Sequence, residues 1–253
     1  MDESYFFKLK SVAKDRLSPN GEVAFFLGIL LYSGALLGIC FFAIYYAVDF
    51  KKTSELFKGL FIGSGVMIVL LIILFCLCVL FEKMVFKIQK IIGVVTVLYT
   101  IFIAYFPFFI FYLSSIDRKW VHQFVEWLII FLIGSFLFFI FITINTLNNV
   151  RNKELSKKGR GLFVWNLMLK LILVYTLVFL ASVILLYIYF NDGIVNLGTI
   201  TIFCFLNLCF LTGVQEFILI AYCRIKFPSF TVTYEEATKY RINKKKQKRR
   251  KKK

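Results

Sequence analysis

Six unbroken apolar stretches, each long enough to cross a lipid bilayer, constrain this chain more than any other feature. A hydrocarbon core about 30 Å thick takes about 20 apolar residues in a helix. The stretches run over 23–48, 59–81, 91–113, 127–147, 171–190 and 194–215. Charged punctuation separates them: Asp49, then Glu82-Lys83, Lys90 and Asp117-Arg118-Lys119. None alternates apolar and polar residues as a barrel strand would, and a lipid-exposed backbone must satisfy its own hydrogen bonds, so helices are predicted. The expected fold class is therefore an all-α integral membrane protein, a six-span helical bundle. Three parts follow: a cytoplasmic amphipathic segment over 1–22, a transmembrane domain over 23–222, and a cytoplasmic polybasic tail over 223–253.

Composition agrees, since 60% of the 253 residues are hydrophobic against about 45–50% in soluble domains. Six spans with short loops leave no room for a separate folded soluble domain. The first 21 residues hold four basic and three acidic side chains ahead of a long apolar run. That is not the pattern of a cleaved signal peptide.

Orientation follows from the basic residues, which accumulate on the cytoplasmic side of membrane proteins. With the N-terminus inside, 26 of the 31 Lys and Arg fall in cytoplasmic segments and 5 outside. Leaving out the 13 that follow the sixth stretch, the division is still 13 to 5. An N-in/C-in topology is predicted. The membrane is expected to be the cell (cytoplasmic) membrane, with the endoplasmic reticulum as the alternative if the source is eukaryotic.

Near the N-terminus, Phe6, Leu9, Ala13 and Leu17 recur at helical spacing while Lys10, Lys14 and Asp15 fall off that stripe. This predicts a short amphipathic helix, closed by Ser18-Pro19-Asn20-Gly21. At the other end, nine of the last ten residues are basic. Such a block repels itself and buries no core, so a disordered tail is expected. Lys244, Lys245, Lys246, Lys248, Arg249 and Arg250 are the expected contacts to anionic lipid headgroups. Ribosomal RNA is the weaker alternative, because no aromatic in those ten residues could stack on a base.

Ionisable and polar residues near the spans are few. Glu126, Lys170 and Glu216 can all sit at span boundaries. Lys170 and Glu216 would lie at similar depth, and a pairing between them is the expectation if spans five and six are neighbours. Asn207 falls near the middle of span six, where such side chains usually bond to another helix. Pro107 predicts a kink in span three. Gly34 with Gly38, and Gly59 with Gly63, each make GxxxG, a pattern that permits close helix packing.

Motifs of chemistry are missing. The six cysteines form no CxxC, and His122 is the only histidine, which rules out a His-rich zinc site. No Gly-rich phosphate loop is present, so no P-loop nucleotide hydrolysis is expected. Glu235-Glu236 with Arg241 resembles the paired-glutamate signature of membrane prenyl-protein proteases, but the spacing is one residue too long and the segment lies in the tail. No catalytic, cofactor or metal residue is assigned, and the chain is not expected to be an enzyme. The outline, an inner-leaflet helix ahead of six N-in/C-in spans, resembles small permease subunits of ATP-driven exporters in plan only. A permease-like or transport-related component working with a separate ATPase or other membrane protein is the first expectation. A non-transporting assembly, insertion or immunity-type factor is the second.

Overall fold

A computed structural model describes residues 2–14, 17–46, 55–106, 121–152, 173 and 194–239. Among them there is no strand. A 3-10 turn over Glu3–Phe6 leads into α1 (Phe7–Lys14). The long helices are α2 (Pro19–Tyr46), α3 (Glu55–Leu80), α5 (Gln89–Tyr105), α6 (Val121–Arg151) and α7 (Ile194–Lys226), with the short α4 (Glu82–Lys87) between α3 and α5. Four are long and apolar enough to cross a membrane, over Pro19–Phe42, Phe61–Leu80, Phe131–Arg151 and Cys204–Lys226, and α5 is a shorter apolar helix. This is an all-helical membrane protein. The fifth predicted stretch, 171–190, lies outside the described residues except for Leu173.

Local chemistry explains the helix starts. Ser18 caps α2: its hydroxyl accepts from the Gly21 amide at 3.4 Å, and Pro19 occupies the first helical position, where a missing N–H costs nothing. Near the C-terminus, Thr233 and Glu236 exchange side-chain-to-backbone hydrogen bonds at 3.3 and 3.4 Å, a capping box that opens the helical residues 234–239. Glu236, one of the paired glutamates, is thus part of a helix cap.

Helix directions can be read from the cross-helix bonds. The Ser135 hydroxyl donates to Asn207 at 2.8 Å, and the Gln215 amide donates to Thr143 at 3.0 Å. Both partners advance eight residues from one bond to the next, so α6 and α7 run parallel. In contrast, α5 runs antiparallel to α7, since Asn207 bonds to the Ala104 carbonyl while Gly93 lies against Ala221. Likewise α2 opposes α7, with Phe25 against Phe217 and Tyr32 against Phe210.

One end of the bundle collects the start of α2, the end of α3, all of α4, the start of α5 and the ends of α6 and α7. Both described ends of the chain fold there. The expected stripe Phe6, Leu9, Ala13 and Leu17 is buried, and it packs with Val150, Phe217, Ile220, Cys223 and Phe230. The amphipathic helix thus spends its apolar face on the bundle itself instead of on lipid. In the outer parts of the bundle, side chains such as Leu31, Ile62, Leu70, Ile133 and Phe136 are exposed. That is the pattern for helices solvated by hydrocarbon.

Candidate functional site: a buried ion pair at one end of the bundle

α7 does not stop at Gln215, the boundary expected from sequence, but continues three turns to Lys226. The continuation carries Arg224 into the end of the bundle, on the last turn of α7, while Glu22 sits on the first turn of α2. Each charge complements the macrodipole of its own helix. Arg224 is 0% exposed and Glu22 is 1% exposed. Nη1 of Arg224 donates to both carboxylate oxygens of Glu22, at 2.8 and 2.7 Å, and Nη2 donates to the Leu17 carbonyl. A longer contact of 3.5 Å joins Nη1 to the Gln89 carbonyl. One guanidinium therefore ties together α2, the turn before it, α5 and α7.

Gly93 lies directly against this arrangement. A Cβ there would lie 3.5 Å from both the Arg224 Nη1 atom and the Ala221 Cβ, so α5 and α7 approach closely at this point. At Gly34, Gly38, Gly59 and Gly63 a Cβ would meet nothing within 4 Å. In the described fold, none of these four is where two helices come closest.

Gln89 links the ion pair to the C-terminal residues. Its side chain is buried and pairs with the peptide group of Val232: Nε2 donates to the Val232 carbonyl at 3.2 Å, and the Val232 amide donates to Oε1 at 3.1 Å. Nε2 also reaches the Phe86 carbonyl at 2.8 Å. Nearby, the Phe86 and Tyr234 rings meet edge to face at 5.5 Å. On the opposite flank Ser229 donates to Glu3, which also pairs with Lys10 at 3.0 Å. The Ser229 bond, followed by that of Lys10, holds the Glu3 carboxyl below the usual range. The Phe6 ring lies tilted against those of Phe227 and Tyr222, with centroids 5.8 and 5.9 Å away.

The chain matches no known protein-family model, no curated protein and no solved structure.

A second polar group lies in the middle of the bundle. Asn207 accepts from Ser135 and donates to the Ala104 carbonyl at 2.8 Å, with the Tyr105 hydroxyl 3.2 Å from Ser135. Two turns further along α6 and α7 come Thr143 and Gln215. Asn207 thus bonds between helices, as expected at its depth.

The remaining expected positions divide by location. Glu216 is buried on α7, whereas Lys170, its expected partner, lies outside the described residues. Pro107 is also outside them, two residues after α5 ends at Tyr105. The same holds for Lys244, Lys245, Lys246, Lys248, Arg249 and Arg250. Glu22, Gln89 and Arg224 were not singled out from sequence. A signal for Arg224 does exist, because it is embedded in the apolar run from Phe217 to Ile225, where a charge is costly unless paired.

Proposed function

We propose that this protein is a six-span, N-in/C-in component of the cell (cytoplasmic) membrane with a permease-like, transport-related role and no ATPase of its own. The observation that carries the reading is the polar seam among α5, α6 and α7, formed by Tyr105, Ser135, Thr143, Asn207 and Gln215. Polar side chains inside a membrane bundle are costly unless bonded, and here they bond to one another and tie the three helices together. A route for a polar solute needs such groups where helices can part.

The parallel course of α6 and α7 supports the six-span count. Two helices crossing in the same direction need a return crossing between them, and the apolar stretch 171–190 is long enough to supply it. The meeting of both described chain ends at one end of the bundle supports placing them on one side of the membrane, and the 26-to-5 division of basic residues favours the cytoplasm as that side. On this reading the polybasic tail lies beside anionic headgroups, and a separate ATPase or other membrane protein supplies any energy. In a eukaryotic source the membrane would be that of the endoplasmic reticulum.

The second reading is a non-transporting assembly, insertion or immunity-type factor. It is favoured by the tied end of the bundle, which offers a fixed platform next to the basic tail.

Cysteine scanning separates the two. In a full-length variant lacking the six native cysteines, single cysteines replace Ser135, Thr143, Asn207 and Gln215 in sealed vesicles. A transport role requires membrane-impermeant thiol reagents to reach these positions from one face. Complete protection from both faces refutes it. Removal of residues 242–253 adds a second arm: flux survives in a transporter, whereas a tail-dependent factor loses its partner.

A further inference from the structure

We propose that residues 227–239 are a strap over the end of the bundle, and that Gln89 is the latch that makes the strap and the buried Arg224–Glu22 pair open and close together. Gln89 touches both. Its backbone carbonyl faces Arg224 Nη1 at 3.5 Å, while its side chain holds the Val232 peptide through two hydrogen bonds. The strap is fixed on either side of this latch. On the α1 side, Ser229 bonds to Glu3 and Phe230 is buried among Phe6, Leu9 and Cys223. On the α4 side, Val232 and Ala237 are buried against Phe86.

The physical reason for coupling is burial. A side-chain amide shielded from water cannot exchange its partner for solvent without exposure, so losing Val232 would leave Oε1 unsatisfied and admit water to Gln89. Water at Gln89 reaches the next shell, which is the guanidinium. A hydrated Arg224–Glu22 pair loses the low-dielectric setting that makes it a tight tie. Releasing the strap therefore loosens α2 from α7, and parting the charges frees the strap. The latch stands independently of the transport reading.

Cys223 is a native reporter, because it is 0% exposed and packed beneath Phe6 and Phe230. Cys204, buried nearer the start of α7, is the internal control. The full-length protein in detergent micelles is treated with N-ethylmaleimide, and each cysteine is followed by mass spectrometry. Gln89→Leu should speed modification of Cys223 by about 10-fold or more through local opening, with Cys204 unchanged. An unchanged Cys223 rate overturns the proposal. If both cysteines accelerate, the variant has lost its fold, and Gln89→Met, which keeps the length of the side chain, decides instead. It should speed Cys223 and leave Cys204 unchanged; a Cys223 rate equal to wild type overturns the latch.

Discussion

Glu22→Leu should damage the protein far more than Glu22→Leu combined with Arg224→Met. In the single variant the fully buried guanidinium keeps the Leu17 carbonyl but loses both carboxylate oxygens, at 2.8 and 2.7 Å. Breaking a buried pair from one side costs about 3–5 kcal/mol, because the remaining charge is uncompensated. The double variant removes that charge as well. Its main polar loss is the Leu17 carbonyl, left without its donor at about 1–3 kcal/mol. Against this, replacing a buried pair by apolar side chains is often neutral, or stabilising by about 1–4 kcal/mol. The double variant should thus lie within about 2 kcal/mol of wild type, with a coupling between the two sites of about 3 kcal/mol or more. Unfolding by SDS titration in mixed micelles, on all four members of the cycle, measures this directly. A double variant no more stable than the worse single one would refute the reasoning, as would a Glu22→Leu variant within about 1 kcal/mol of wild type.

Asn207→Ala removes two interhelical bonds at once and should cost about 1 kcal/mol, near the upper part of the range for bonds between membrane helices; the same SDS titration reads it. Gly93→Leu should lose about 1–3 kcal/mol by overpacking against Ala221 and Arg224, while Gly59→Leu, facing open space, should leave the midpoint of unfolding unchanged. A peptide of residues 240–253 should co-sediment with phosphatidylserine vesicles and not with neutral ones. Neutralising Lys244, Lys245, Lys246, Lys248, Arg249 and Arg250 to Gln should weaken that binding severely and leave only what Arg241, Lys251, Lys252 and Lys253 supply, since each cation contributes about 1 kcal/mol at an anionic surface. Equal binding to neutral vesicles would argue against headgroup recognition.

Much of the helical plan was legible because the bilayer sets a minimum apolar length and charges mark where it ends. The start of α5 at Gln89 and the end of α3 at Leu80 fall within two residues of the expected boundaries at 91 and 81. The stripe Phe6, Leu9, Ala13 and Leu17 was legible from its period. Its partner was not, since periodicity names a face without saying what covers it, and lipid and protein are equally apolar. Arg224 escaped for a related reason. Charge bookkeeping treats a cation after the last apolar stretch as a flanking residue, and Glu22 before the first in the same way. Nothing in a linear reading joins two residues 202 positions apart. Gln89, between Ile88 and Lys90, carries no sequence signal for its role at all.

The sequence by itself determined that this chain is helical and membrane-bound, because apolar length and continuity are local properties that lipid tests one segment at a time. Only the tertiary structure decided that the two described ends of the chain meet, that Glu22 and Arg224 share one buried site, and that Gln89 holds Val232. Those facts depend on which helix faces which, and that is settled by packing across the whole bundle, where an unpaired charge or amide has nowhere else to go.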